Sequence, residues 1–237
     1  MKLLLMAHDY VGVKITKWLI ENYKDDLGLV CVKKPNLISD ACDSAGIPWT
    51  DATTAEKFDL GILAWWPDIV GDDILNCANH FVNTHPSLLP YCRGKHYNFW
   101  TIVEESPFGV TLHKVTHEID SGPIIAQKKL EYGWEDNGET LFHKAQEAMV
   151  DLFSETYPTL RTLSFPMISQ RESLASYHRA REINKASRIL LNGNYTGREI
   201  LNLLRARTFT GHPACYFNED GVKYEVRIDI RREKADG

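Results

Sequence analysis

Over the first half of the chain, short apolar runs alternate with longer segments of helical spacing. Residues 2–7, 27–32, 58–64 and 81–84 are strand-like, each a short and mostly apolar run ended by polar or turn-forming residues. Between them, Val11, Ile15, Trp18 and Leu19 fall on one face of a helix predicted over 11–23. Residues 37–45 read as a second helix stopped by Gly46. After Trp65-Trp66-Pro67, Asp68 is placed to cap a third helix running to Cys77. Residues 109–115 and 123–131 are two further strands with alternating apolar positions. Asn137 then opens a long helix over 138–160, with Leu141, Ala145, Ala148 and Leu152 turned inward. Strands alternating with helices in this way predict an α/β fold, a mostly parallel sheet with helices on both faces. In such sheets ligands bind beyond the carboxyl ends of the strands. Asp9, Trp65 and His85 stand at those ends.

The pattern changes after Pro166. Residues 173–181 read as a polar helix, and Thr196-Gly197-Arg198-Glu199 is a capping box ahead of a helix over 200–206. Residues 214–217 and 222–230 flank Asn218-Glu219-Asp220-Gly221, a hairpin signal. A boundary near 165–170 is therefore expected, with a catalytic domain over 1–168 and a small helical and β-hairpin region over 169–237. Only residues 231–237 have the composition of a disordered tail.

Charge adds an asymmetry. The chain of 237 residues has a net charge of -5, yet residues 171–237 carry 13 basic against 9 acidic side chains, while residues 1–170 carry 14 against 23. A basic end on an acidic body suits an anionic substrate or is simply a solvated face. The chain lacks the dense Lys/Arg stripe of a nucleic-acid binder. The five cysteines are scattered with no CxxC pair, which speaks against a zinc knuckle and for free thiols in the cytoplasm. No apolar run approaches the ~18 residues of a membrane span.

The candidate chemistry lies in Asn83-Thr84-His85-Pro86-Ser87-Leu88-Leu89-Pro90 and in Asp120-Ser121-Gly122-Pro123. Asn83 and His85 are two apart, so on an extended strand end they share one face. When an amine attacks a carbonyl carbon, a side-chain amide can hydrogen-bond the growing oxyanion, and Asn83 is the candidate. His85 is the candidate base or proton carrier, because imidazole titrates near neutrality. Asp120 can orient the imidazole, hold a water or help protonate a departing nitrogen. His113 and His117 are four apart but on a strand and its exit, so no metal pair is expected.

The segment 83–90, Arg93-Gly94, Gly109-Val110-Thr111-Leu112-His113 and residues 120–127 together resemble the formyltransferases that use N10-formyltetrahydrofolate. The resemblance covers roughly residues 1–160. It implies a Rossmann-like domain, a catalytic trio of Asn83, His85 and Asp120, and a folate held near Trp65, Trp66, Pro67, Ile119 and Asp120. Three branches can be compared. A glycinamide-ribonucleotide formyltransferase would hold its substrate phosphate on a Gly-rich turn after the first strand, where this chain has Ala7-His8-Asp9-Tyr10-Val11-Gly12. The methionyl-tRNA branch carries a longer basic C-terminal barrel. The chain is most similar to the short sugar N-formyltransferases of bacterial surface polysaccharide (O-antigen) synthesis, through Pro90-Tyr91-Cys92-Arg93-Gly94 and Leu204-Arg205-Ala206-Arg207-Thr208. That branch implies a nucleotide-diphosphate amino sugar as acceptor. Arg93 or Lys95 would then meet the pyrophosphate and His96 or Asn98 a sugar hydroxyl, unless Arg93 pairs with a surface acid instead. Asp9 stands at the same strand ends and joins the acceptor-site candidates. Phe209 and Tyr216 either stack on the base or fill a small core. Hydrolysis of formyltetrahydrofolate is the alternative reaction for the same trio. Alternating Tyr224, Val226 and Ile228 on the hairpin make a homodimer the expected assembly.

Overall fold

The computed structural model describes residues 1–52, 54 and 56–233. The elements run β1 (Leu3–Ala7), α1 (Asp9–Tyr23), β2 (Leu27–Cys31), α2 (Leu37–Ala45), β3 (Trp49–Thr50), β4 (Phe58–Ala64), α3 (Asp72–Leu75) and β5 (Ala78–His85). They continue with β6 (Arg93–Gly94), α4 (Tyr97–Val103), β7 (Phe108–Lys114), β8 (Ile124–Leu130) and α5 (Gly138–Leu160). The chain ends with β9 (Tyr177–His178), α6 (Glu182–Ala186), α7 (Gly197–Ala206), β10 (Cys215–Glu219) and β11 (Val222–Val226). Residues 234–237 of the compositionally tail-like segment lie outside the described residues.

The chain forms two compact units that alternate along the sequence. The first comprises residues 1–86, 110–128 and 146–170. Its sheet has the order β3-β2-β1-β4-β5-β7-β8, parallel from β3 to β5 and antiparallel where β5 meets β7. β1 is buried along its whole length, which is why its sequence is an unbroken apolar run rather than an alternation. Leu4, Met6, Leu63 and Phe81 join Ile74 and Cys77 in the core on one face, with Trp66 and Val70 packed against it. On α1, Val11, Ile15 and Leu19 are buried. The ring of Trp18 meets Phe153 and Tyr157 of α5 edge-on, at 6.0 and 5.9 Å. Asp26 is buried and accepts hydrogen bonds from Tyr157 Oη (3.1 Å) and from Arg161 Nε and Nη2 (2.9 and 3.1 Å).

The second unit comprises residues 87–109, 129–145 and 171–237. β6 pairs in parallel with β9, and Gly94 makes this possible: its φ is +89°, and a Cβ there would lie 2.3 Å from the His178 carbonyl oxygen. His178 stacks on Trp100 (3.8 Å, 8°), and its Nε2 lies 2.6 Å from Glu104 Oε1. Buried Arg205 of α7 donates to the Gly133 and Asp136 carbonyls (2.7 and 2.9 Å). The hairpin β10–β11 turns on Asp220 and Gly221 with φ of 49° and 78°, the two positive values that a type I′ turn needs. Among the described residues no helix is long and apolar enough to cross a membrane.

Most predicted elements are present, and the differences come from partners elsewhere in the chain. The helix expected from Asp68 is a single turn at Asp72–Leu75 entered through Gly71, while Asp68 forms an ion pair with Lys33. The polar helix expected over 173–181 is replaced by a 3-10 turn at Glu172–Leu174 and by β9, because the backbone there pairs with β6. Asn137 does cap α5: its Oδ1 accepts from the Glu139 and Thr140 amides at 2.9 and 3.0 Å, and Thr140 Oγ1 accepts from the Asn137 amide at 2.9 Å.

Candidate active site

Three segments of the first unit meet at the carboxyl end of β5. On that strand Asn83 and His85 share a face, and Thr84 turns the other way. Its Oγ1 donates to the Leu63 carbonyl (3.0 Å) and accepts from the Trp65 amide (2.8 Å), holding Trp65 at a left-handed φ of 58° just past β4. β7 runs antiparallel beside β5 in a register that sets His113 opposite Asn83 and Thr111 opposite His85. The chain then leaves β7 and returns through a loop in which Asp120 has φ 52°. Gly122 lets this loop fold back, since a Cβ there would lie 1.8 Å from the Lys114 carbonyl oxygen. Gln170 ties it down, its Nε2 donating to the carbonyls of Asp120 (2.8 Å) and Gly122 (2.7 Å).

The result is a compact polar cluster. Asp120 Oδ2 lies 3.3 Å from His85 Nδ1, and its Oδ1 lies 3.4 Å from Asn83 Nδ2 and 3.5 Å from His113 Nε2. Asn83 Nδ2 and His113 Nε2 are 3.2 Å apart, and His113 Nδ1 is 3.0 Å from the Lys114 carbonyl oxygen. The side chains of His85 and His113 are almost wholly buried and that of Asp120 largely so. Burial sharpens each of these charges and dipoles, because little water screens them. One carboxylate thus orients an imidazole through a known nitrogen while an amide group stands beside it, which is the equipment for stabilising an oxyanion and moving one proton. The ligand atoms of His85, His113 and Asp120 lie within 4.8 Å of one another, close enough to hold a divalent ion as well. His117 is not among them; it is exposed and lies 3.5 Å from Asp72.

The structure brings together Asn83, His85 and Asp120, three of the sequence-predicted residues. Around them in the first unit, Trp65, Trp66 and Pro67 are half-buried after β4, with the Trp66 ring beneath Lys33 Nζ at 5.2 Å. Ile119 presents an exposed apolar side chain directly before Asp120. Asp9 is exposed at the first turn of α1.

The other candidates belong to the second unit. Buried Arg93 forks onto Glu172, Nη1 to Oε2 at 3.0 Å and Nη2 to Oε1 at 2.7 Å. That fork holds the Glu172 carboxyl below its usual range. Asn98 donates to the Gly138 carbonyl (2.8 Å), Lys95 is exposed and His96 is half-buried at a left-handed φ of 62°. Phe209 packs on Phe142 and His212, and Tyr216 lies under Lys223 Nζ at 4.5 Å. Sequence reasoning did not select His113 or Gln170. The signal for His113 was its place opposite Asn83 once β5 and β7 pair, whereas nothing local marks Gln170.

The comparisons identify the class, a one-carbon transferase. Residues 45–157 match the Formyl transferase family, and residues 182–232 match the N-formyltransferase dimerization C-terminal domain. Residues 45–157 thus carry a formyl transferase domain, and nearly the whole chain shares the fold of sugar N-formyltransferases. A Mycobacterium tuberculosis chain taken to be a sugar N-formyltransferase superposes with a TM-score of 0.83 at 22% identity, over 99% of both chains. A 4-N formyltransferase from Francisella tularensis gives 0.81 at 24% identity over 98% of each. An N-formyltransferase from Helicobacter canadensis, in complex with folinic acid and dTDP-3-aminofucose, gives 0.77 at 20% identity over 94% of this chain and 86% of that one.

Proposed function

We propose that this protein transfers a formyl group from N10-formyltetrahydrofolate to the amine of a nucleotide-linked amino-deoxy sugar, for bacterial surface polysaccharide. The observation that carries the reading is Asp120 bridging the catalytic candidates, 3.3 Å from His85 Nδ1 and 3.4 Å from Asn83 Nδ2. The neutral amine attacks, and the Asn83 amide donates to the carbonyl oxygen as charge develops on it, a contribution of about 2.7–4 kcal/mol for one well-placed donor. With Nδ1 turned to the carboxylate, Nε2 of His85 is the nitrogen that takes the proton of the amine. Asp120 stabilises the imidazolium and assists departure of the folate nitrogen. The folate supplies the formyl group; its ring is received by Trp65, Trp66, Pro67 and the exposed apolar side chain of Ile119, a fit for a flat, partly apolar molecule.

The complex of the Helicobacter canadensis relative with folinic acid and dTDP-3-aminofucose supports the donor and the class of acceptor. The match of residues 182–232 to a dimerization domain supports a homodimer. A cytoplasmic location suits this chemistry, since folates and nucleotide sugars are at hand there, and residues 1–168 are the catalytic part. The test is turnover of a panel of nucleotide-linked amino sugars with formyltetrahydrofolate. His85→Ala and Asp120→Ala are expected to lose orders of magnitude in kcat while remaining folded. Near-normal turnover in both removes the mechanism, and release of formate without any acceptor makes the protein a hydrolase.

A further inference from the structure

His85, His113 and Asp120 can do more than relay a proton. Asp120 turns one oxygen to each ring, Oδ2 to His85 Nδ1 at 3.3 Å and Oδ1 to His113 Nε2 at 3.5 Å. The two rings stand at 80° with centroids 6.1 Å apart, so they approach the carboxylate from two directions instead of stacking. The ligand atoms all lie within 4.8 Å of one another. In a tetrahedral zinc site, bonds of about 2.0–2.1 Å set neighbouring ligand atoms about 3.3–3.4 Å apart. The two edges that end on Asp120 are close to that length.

The hydrogen-bond pattern also suits a cation. A carbonyl oxygen only accepts, so His113 Nδ1, 3.0 Å from the Lys114 carbonyl oxygen, carries the proton of that ring. Its Nε2 then presents a lone pair, which accepts from Asn83 Nδ2 at 3.2 Å. The same amide nitrogen reaches Asp120 Oδ1 at 3.4 Å. The amide thus stands between a lone pair and a carboxylate oxygen, the place a cation would take. Both ligands are braced from behind, as metal ligands commonly are: His113 by the Lys114 carbonyl, and the Asp120 loop by Gln170 Nε2 at 2.8 and 2.7 Å.

We propose that His85, His113 and Asp120 bind a zinc-like divalent cation, and that this ion inhibits the enzyme. Two imidazoles and one carboxylate suit Zn²⁺ or Co²⁺, whereas Mg²⁺ and Ca²⁺ take oxygen ligands. Water takes the fourth position. The ion displaces the Asn83 amide, the proposed oxyanion donor. It also takes the lone pair of His85 Nδ1, which places the proton of that ring on Nε2. Nε2 is the nitrogen that receives the amine proton in the transfer proposed above, on which the inhibition, though not the binding, rests.

Isothermal titration of the full chain with zinc chloride, and with magnesium chloride as the control, tests the site. One Zn²⁺ per chain and no Mg²⁺ is expected at the cluster, and Co²⁺ in its place should show the visible bands of a four-coordinate ion. His113→Gln and Asp120→Asn should each weaken Zn²⁺ tenfold or more. Asn83→Ala removes the competing amide and keeps all three ligands, so it should bind Zn²⁺ as tightly as wild type or more tightly. His117→Ala, exposed and outside the cluster, should match wild type. Nitrogen NMR of the wild-type chain needs no variant: Zn²⁺ should move the ring nitrogens of His85 and His113 and leave those of His117 in place. Formyl transfer should fall in step with bound Zn²⁺ and return on adding EDTA. Undiminished affinity in His113→Gln and Asp120→Asn, or unmoved His85 and His113 nitrogens at saturating Zn²⁺, overturns the site. Zn²⁺ held at these residues with transfer undiminished overturns the inhibition and leaves the transfer reaction standing. Zn²⁺ bound there in a chain that formylates no acceptor upholds the site and removes the proposed function.

Discussion

Gln170 contributes no atom to the proposed reaction, yet its loss should cost turnover. Its Nε2 donates to two backbone carbonyls, of Asp120 at 2.8 Å and Gly122 at 2.7 Å. These bonds hold a loop whose central residue, Asp120, has φ 52°, a conformation that a non-glycine residue adopts only under constraint. Each bond is worth about 0.5–1.5 kcal/mol net, so losing both frees the loop by about 1–3 kcal/mol, a factor of about 5–150 in the population that keeps the carboxylate beside His85. The perturbation is Gln170→Leu, which keeps the bulk of the side chain and removes the donor. Steady-state formyl transfer should show kcat lower by about that factor, less than for Asp120→Ala, with the KM values for donor and acceptor little changed. Gln170→Glu should be worse than Gln170→Leu, because it turns a carboxylate oxygen toward two carbonyl oxygens. Wild-type kcat in Gln170→Leu, or a glutamate variant better than the leucine one, would refute the reasoning.

Gly122→Ala should abolish turnover in a folded protein, since its Cβ would lie 1.8 Å from the Lys114 carbonyl oxygen, whereas Gly133→Ala, which meets nothing within 4 Å, should be silent in the same assay. Burial pushes the Asp26 carboxyl up, but its bonds to Arg161 and Tyr157 outweigh that and hold it below the usual 3.8. The stability it contributes is therefore complete above that value and lost as pH falls through the depressed one. Asp26→Asn should lower Tm at neutral pH and narrow the gap to wild type in acid, by about 2 kcal/mol at most because Arg161 is 44% exposed; a Tm difference that is constant with pH would contradict it. All five cysteines are buried, and burial raises Cys31, Cys42 and Cys92 to about 11 and Cys215 to about 12, so a thiol reagent at pH 8 should label the native protein slowly and the unfolded protein fully.

Elements with a local cause are legible in the sequence alone. β4 spans residues 58–64 as the apolar run predicts, and α2 ends where Gly46 can adopt φ 66°. α7 begins at a capping box whose two arms are both present, and the hairpin turns at its Asp-Gly pair. What stays hidden depends on partners far along the chain. β6 and β9 are two residues each and exist only as a pair, so neither segment carries a strand signature of its own. Asp68 has the side chain of a helix cap, and the competing partner that takes it, Lys33, lies 35 positions away.

The candidate site divides along the same line. Asn83 and His85 are related by the two-residue period of one strand, and Asp120 by a motif that sequence alone can display. His113 enters only through the antiparallel register of β5 with β7, which sets it opposite Asn83. A slip of one residue would turn His113 to the other face of the sheet and leave Asp120 with His85 and Asn83 alone. The pairing of the two strands, rather than any single side chain, therefore fixes how many polar groups surround the carboxylate. Substitutions that disturb this register at Val82 or Leu112, both fully buried, should impair transfer as much as loss of His113 itself. A substitution at either position that lowers Tm but leaves kcat intact would show that the cluster tolerates the slip.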